Sequence, residues 1–206
     1  MKKVGYKYNI GIDEVGRGPL AGPVAVGVIS LNVKSLKSKV GWGKGFKDSK
    51  KLSAKGREAW FVKINEARAE GWLEYAVAFV SPSVIDKKGL SHAIRTAITK
   101  ALKDIDKIKD GPLFCKVLLD GGLRAPAEYL YQETIIKGDE KELVIALASI
   151  VAKVARDKRM VALAKKFPQY GFEKHKGYGT HAHYEAIKKH GITPHHRKSF
   201  LKGVVE

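Results

Sequence analysis

Two apolar, β-branched segments near the N-terminus constrain the fold most strongly. Residues 8–13 and 24–31 are joined by a Gly- and Pro-rich turn, a pattern that predicts two strands of a hairpin or a meander. Residues 32–51, rich in Gly and Lys, are expected to form a loop. Beyond them we predict helices over 53–69, near 84, and over 91–102, 140–164 and 180–189, and strands over 73–80, 116–120 and 131–136. This order is typical of an α/β fold in which a mixed sheet is flanked by helices.

A chain of 206 residues is long enough for one well-buried core. We divide it into a core over residues 1–165 and a small helical C-terminal segment over 166–206, which act as one domain of about residues 8–200. Cys115 is the only cysteine, so neither an internal disulfide bond nor a cysteine-based zinc site can form. The longest uncharged stretch, residues 18–33, contains two prolines and is too short to span a membrane. We therefore expect a cytoplasmic protein with no membrane partner.

The chain carries a large positive charge. Its 39 Lys and Arg residues exceed its 21 Asp and Glu residues, which gives a formal net charge of +18. Most of the excess lies in residues 34–63 and 165–198. A surface of one sign repels itself unless a polyanion is the usual partner. Two solvated surfaces are one interpretation; a groove that binds phosphates on both rims is the other, and it predicts a nucleic-acid partner.

Four carboxylates form a candidate metal site. Asp13 and Glu14 are adjacent at the end of the first predicted strand, and they converge only if the chain turns there, as residues 16–18 would allow. Asp120 ends a second apolar strand, where ligands commonly lie in α/β folds. A surface acid pair and an ordinary Asp-Gly turn are the alternatives.

Asp157 is the fourth acid and lies on a long predicted helix. Ser149, Lys153 and Asp157 are spaced four residues apart, so they share one stripe of that helix. The stripe either faces solvent with a weak Lys153–Asp157 pair or faces a substrate groove. Carboxylate oxygens suit a hard ion such as Mg²⁺ or Mn²⁺. Two such ions would stabilise the attacking and leaving oxygens of a phosphodiester.

Six blocks of the sequence form an ordered set of motifs. The first, from residue 11, is Gly-Ile-Asp-Glu-Val-Gly-Arg-Gly-Pro-Leu-Ala-Gly-Pro-Val. The others begin at residues 48, 119, 148, 170 and 194 and read, in that order, Asp-Ser-Lys-Lys-Leu-Ser, Leu-Asp-Gly, Ala-Ser-Ile-Val-Ala-Lys-Val-Ala-Arg-Asp, Tyr-Gly-Phe-Glu-Lys-His-Lys-Gly-Tyr-Gly-Thr and Pro-His-His-Arg-Lys-Ser-Phe. In order and spacing these blocks resemble the ribonuclease HII family, the bacterial type 2 ribonucleases H, and the resemblance covers about residues 8–200. Gly122 departs from the Asn that many relatives have there.

The resemblance implies an RNase H-like fold whose helical C-terminal segment closes over the substrate. It implies endonucleolytic hydrolysis of the RNA strand of RNA–DNA hybrids, leaving 5′-phosphate and 3′-hydroxyl ends, and incision 5′ of single ribonucleotides in duplex DNA. By motif matching, Asp13, Glu14, Asp120 and Asp157 are the catalytic residues and the metal ligands. The implied cofactors are Mg²⁺ or Mn²⁺ in a two-metal site, without an organic cofactor. RNA–DNA hybrids and ribonucleotide-containing duplex DNA are the implied partners, and we expect a monomer.

Substrate contacts are also implied. The backbone of the Gly-Arg-Gly turn can approach a ribose closely because glycine has no Cβ, and in the family this turn bonds the 2′-hydroxyl with help from the tyrosine that matches Tyr178. Lys137 either binds phosphate or pairs with Asp139. The substrate-binding residues that we predict are Gly16, Arg17, Gly18, Lys47, Lys50, Lys51, Lys137, Ser149, Lys153 and Tyr178.

Three other interpretations are possible. His181, His183, His195 and His196 are clustered, but His181 and His183 face different ways at a predicted helix start, so we expect no zinc site. A non-catalytic basic nucleic-acid binder would explain the net charge, yet it has no need of four acids at strand ends and on one helical stripe. The Gly-Arg-Gly turn and Tyr178 argue against another nuclease of the same fold, such as a Holliday-junction resolvase.

Overall fold

A five-stranded mixed sheet lies at the centre of the protein, for which a computed structural model describes residues 5–39, 41–43, 52–106 and 111–203. The strands are β1 (Tyr8–Val15), β2 (Val24–Asn32), β3 (Leu73–Val80), β4 (Cys115–Asp120) and β5 (Gln132–Ile135), in the spatial order β3-β2-β1-β4-β5. β2 runs antiparallel to β1 and β3, whereas β4 runs parallel to β1 and β5. The predicted hairpin and the α/β class are confirmed.

The five predicted helices are present with small changes at their ends, and three short helices, over 33–38, 138–141 and 172–175, were not predicted. In chain order the helices are α1 (Val33–Ser38), α2 (Ala54–Ala69), α3 (Pro82–Lys88), α4 (Leu90–Asp106), α5 (Gly138–Lys141), α6 (Leu143–Lys166), α7 (Phe172–His175) and α8 (His181–His190). Ser53 and Thr180 cap α2 and α8 by accepting the backbone N–H groups of Gly56 and His183, as the sequence predicts. Helix α1 was expected to be loop, and this was wrong because Asn32 caps it by accepting the N–H groups of Lys34 and Ser35.

Helices cover both faces of the sheet. In β1, Ile10 and Ile12 pack in the apolar cluster that also contains residues of α4, because alternate side chains of a strand point to opposite faces. Gly11 faces α6 at very close range: a Cβ there would lie 2.2 Å from the carbonyl oxygen of Val144. Close packing of α6 on β1 therefore requires glycine at position 11.

A third apolar cluster joins the turn after β1 to the C-terminal segment. Leu20 and Ala21 pack there with Met160 of α6 and with Tyr170 and Phe172 of the segment. The cluster holds the Gly-Arg-Gly turn against residues 166–203. The division at residue 165 remains a prediction. None of the helices in the described ranges is long and apolar enough to cross a membrane.

Candidate active site

Three of the predicted carboxylates lie at one edge of the sheet. β1 and β4 are parallel neighbours with Ile12 opposite Leu119, so Asp13 and Asp120 follow directly at the carboxyl ends of adjacent strands. Glu14 is the next residue of β1. This is the edge at which ligands bind in α/β sheets.

The expected convergence of Asp13 and Glu14 at a turn is wrong. β1 stays regular to Val15, with Asp13 opposite Gly27 and Glu14 opposite Val26 of β2, so the two side chains leave the strand on opposite faces. Pairing with β2 keeps the strand extended until Gly16. Asp13 accepts hydrogen bonds from the Ser149 side chain and from the backbone N–H of Glu14, at 2.8 Å for the latter.

Asp13, Glu14 and Asp120 form an electrostatically unfavourable group. Asp13 is 6% exposed, and burial raises its pKa to about 7, with further increases from the charges of Glu14 and Asp120. Oε1 of Glu14 accepts a hydrogen bond from Nη1 of Arg17 at 2.7 Å, whereas Oε2 is buried and has no hydrogen-bond partner among the residues that the structure describes. An unpartnered buried carboxylate oxygen beside an acid of raised pKa fits a site that binds cations.

Asp120 is oriented by a backbone group. Its Oδ1 accepts the N–H of Gly138 at 2.7 Å. Lys137, just before that glycine, has φ +54°, a left-handed conformation that side chains rarely adopt. Its exposed side chain points away from the protein interior. The backbone conformation of Lys137 therefore directs the N–H of Gly138 to Asp120.

Asp157 lies apart from the other three acids. It is half-buried on α6, eight residues beyond Ser149, and lines a pocket with Arg57 and Lys176. Lys153, which lies between Ser149 and Asp157 along α6, is also half-buried. Within the described ranges, no three His, Cys, Asp or Glu residues stand close enough together to hold a metal ion. The role of Asp157 as a fourth ligand stays a prediction.

The Gly-Arg-Gly turn and Tyr178, which are predicted to contact the ribose, are neighbours. A Cβ on Gly18 would lie 3.8 Å from Cε1 of Tyr178, and the Tyr178 side chain is 48% exposed. Gly16 has φ +87°, so the chain turns there, and Arg17 extends into solvent. Lys47, Lys50 and Lys51 lie outside the described residues.

Buried basic residues support this region, and sequence reasoning missed them. Arg156 donates hydrogen bonds to the carbonyl oxygens of Pro23 and Lys176, both at 3.0 Å. Arg197 contacts the Gly-Arg-Gly turn itself. Both arginines belong to the blocks that resemble the family, and their position within those blocks was the only available signal.

Two of the clustered histidines form a hydrogen-bonded pair. The N–H of Thr193 donates to Nδ1 of His196, so a neutral His196 carries its proton on Nε2, which lies 3.1 Å from Nε2 of His183. Nδ1 of His183 then donates to the carbonyl oxygen of Tyr178 at 2.9 Å. Burial lowers the pKa of both histidines, to about 4 for His196.

Comparison with known proteins decides the family. The family model described as ribonuclease HII matches residues 10–203. The chain belongs to the ribonuclease HII family. The ribonuclease HII of Clostridioides difficile strain 630 is 44% identical over 201 residues, which cover 98% of this chain and 72% of that protein. The predicted family and the class of enzyme, a type 2 ribonuclease H, are confirmed, which makes the chain an endoribonuclease of RNA–DNA hybrids.

Solved structures agree with this assignment. The ribonuclease H2 of Pyrococcus horikoshii has a TM-score of 0.70 and 25% identity, and the match covers 96% of each chain. Bst-RNase HIII in complex with Mn²⁺ has a TM-score of 0.62 and 17% identity over 98% of this chain and 71% of that one, a likeness of fold. The predicted RNase H-like fold of this ribonuclease HII family member is therefore confirmed.

Proposed function

We propose that this chain hydrolyses RNA in RNA–DNA hybrids and incises 5′ of single ribonucleotides in duplex DNA, by two-metal catalysis that leaves 5′-phosphate and 3′-hydroxyl ends. One observation carries the proposal. Asp13, which is buried, and Asp120, which is half-buried, lie at the carboxyl ends of β1 and β4, and β1 leads directly into the Gly-Arg-Gly turn beside Tyr178. Groups suited to phosphodiester hydrolysis and groups suited to ribose recognition thus lie together.

The residues at the site fit a hard divalent cation. The unpartnered Oε2 of Glu14 and the buried carboxyl group of Asp13 supply oxygen ligands whose negative charge a bound cation would balance. Asp13, Glu14 and Asp120 would hold Mg²⁺ or Mn²⁺, in keeping with the Mn²⁺ in Bst-RNase HIII. The assignment of Asp157 as a fourth ligand rests on the sequence alone. Bound ions would stabilise negative charge on the attacking and leaving oxygens. We expect neither zinc nor an organic cofactor.

Neighbouring groups prepare the acids for this role. The hydroxyl of Ser149 and the N–H of Glu14 both donate to Asp13 and favour its ionised form, which is the form that binds a cation. The N–H of Gly138 donates to Oδ1 of Asp120 and fixes the orientation of that carboxylate. These hydrogen bonds orient the carboxylates before any ion arrives.

Recognition of the substrate combines ribose contacts with phosphate contacts. The exposed backbone at Gly18 allows a sugar to approach closely, and the phenol of Tyr178 can hydrogen-bond a 2′-hydroxyl beside it. The net charge of +18 supplies attraction to the phosphates, to which we assign Lys47, Lys50, Lys51, Lys137 and Lys153.

The substitution Asp120→Asn tests the catalytic part. It keeps the shape of the side chain and removes its charge, so we expect incision of a hybrid to fall about a hundredfold or more while hybrid binding stays within about threefold. Asp104→Asn, on the exposed surface of α4, is the matched control and should retain full activity. Retained turnover by Asp120→Asn would remove this residue from the metal site.

The substitution Tyr178→Phe tests the ribose part. It deletes only the hydroxyl, so the rate on a duplex with one embedded ribonucleotide should fall more than the rate on a uniform hybrid, where many riboses are available. The two rates are compared by single-turnover cleavage. An unchanged rate on the single-ribonucleotide duplex would show that the 2′-hydroxyl is recognised by other groups.

A further inference from the structure

Arg197 is a wholly buried arginine that contacts the Gly-Arg-Gly turn. Its Nη2 donates to the carbonyl oxygen of Gly16 at 2.6 Å, and its Nη1 donates to that of Arg17 at 2.8 Å. Its Nε donates to the carbonyl oxygen of Gly22 at 3.0 Å. The guanidinium therefore binds two consecutive peptide groups of the turn and one that follows it.

These bonds determine where the turn's own N–H groups point. A peptide group is planar and trans, so its N–H is directed opposite to its C=O. Because the carbonyls of Gly16 and Arg17 point to Arg197, the N–H groups of Arg17 and Gly18 point away from it. Over the described part of the chain, neither N–H has a protein acceptor, and both residues are exposed. The turn thus presents two adjacent donors on the side that faces solvent.

The arginine is itself held firmly in place. Its backbone N–H donates to the carbonyl oxygen of Leu20 at 2.7 Å, and Ala21 forms a β-bridge with His196. Burial, and then the charge of Arg156, lower the pKa of Arg197 to about 10, so it remains protonated at neutral pH. A buried charge of this kind is tolerated because carbonyl oxygens replace the lost water.

We propose that Arg197 is a positioning residue for ribose selection: it aims the N–H groups of Arg17 and Gly18 at the 2′-hydroxyl and sugar oxygens of the target nucleotide. The inference rests on the proposed incision at ribonucleotides. It does not make Arg197 a substrate contact, since its side chain is wholly buried. Selection depends on the planar, forked shape of the guanidinium, which a lysine ammonium cannot reproduce.

The substitution Arg197→Lys tests this role because it keeps the charge and loses the fork. We expect kcat/KM on a duplex with one embedded ribonucleotide to fall about tenfold or more, and affinity for an all-DNA duplex to stay within about twofold. Arg95→Lys, on the exposed face of α4, controls for the loss of a guanidinium. Ile98→Ala, on the buried face of α4, controls for a loss of stability.

The outcomes separate this inference from the function on which it rests. A wild-type protein without ribose-dependent incision contradicts the proposed function. Wild-type selectivity that Arg197→Lys retains, or that Ile98→Ala loses equally, overturns the role of Arg197 alone. A second measurement needs no variant: in EDTA, the amide NMR signals of Arg17 and Gly18 should shift with the ribonucleotide duplex more than with its all-DNA counterpart. Equal shifts with both duplexes also overturn the inference.

Discussion

The two glycines of the Gly-Arg-Gly turn form a matched pair that separates folding from ribose recognition. Gly16 is buried with φ +87°, and a Cβ there would lie 2.3 Å from Nε of Arg156. Gly18 is exposed, and among the described residues its Cβ would meet only the ring of Tyr178, at an ordinary contact distance of 3.8 Å. The same Gly→Ala change therefore meets two different environments two residues apart.

The expected costs follow from those environments. An L-residue in the left-handed region costs about 1–2 kcal/mol. Displacing Arg156 from its 3.0 Å bond to the carbonyl oxygen of Pro23 adds about 1–2 kcal/mol. Gly16→Ala should therefore lower the free energy of unfolding by about 3 kcal/mol, whereas Gly18→Ala should change it by less than about 0.5 kcal/mol.

Urea unfolding and cleavage kinetics check this pair together. Gly18→Ala should fold as well as the wild type, yet lose about tenfold or more in kcat/KM on a single-ribonucleotide duplex, because its methyl group occupies space beside Tyr178 that the sugar needs. Equal stability losses in the two variants would refute the packing argument. Full activity of Gly18→Ala would refute the assignment of the sugar to this position.

Two further predictions concern pH and charge. Burial raises the pKa of Asp13 to about 7, above its value in the unfolded chain, so the metal-free protein should gain stability as pH falls from about 7 towards 4. At pH 8, Asp13→Asn should raise the melting temperature of the metal-free protein and abolish incision. A lowered melting temperature would contradict the assigned burial cost. His196 has its pKa lowered to about 4, so the unfolded chain binds a proton that the folded state excludes below the ordinary value of 6.5. Compared with His196→Gln in urea unfolding, the wild type should therefore lose about 2 kcal/mol of unfolding free energy between pH 7.5 and pH 5, and equal pH dependence of the two proteins would refute this.

The sequence predicted the sheet because β1, β2 and β4 are rich in apolar and β-branched residues. It could not predict that β1 continues past Glu14, since this depends on pairing with Val26 of β2, a contact between distant residues. The helix at Val33–Ser38 was missed because the cap at Asn32 was not recognised in a Gly- and Lys-rich segment.

The site could be predicted only as a set of residues. Motif blocks identified Asp13, Asp120 and Tyr178, but their mutual positions follow from strand order and from packing of the C-terminal segment. Arg156 and Arg197 could not be separated from the many surface cations of a chain with net charge +18. Burial, which distinguishes them, is a property of the folded structure.

Ribose-directed, metal-dependent incision is the central claim, and one cleavage assay tests it most directly. The substrate is an end-labelled DNA duplex with one embedded ribonucleotide, incubated with the protein and Mg²⁺, Mn²⁺ or EDTA, beside an all-DNA duplex of the same sequence. We predict incision 5′ of the ribonucleotide with either ion, none in EDTA, and an intact all-DNA control. Tight binding without incision under any of these conditions would contradict the claim and indicate a non-catalytic nucleic-acid binder.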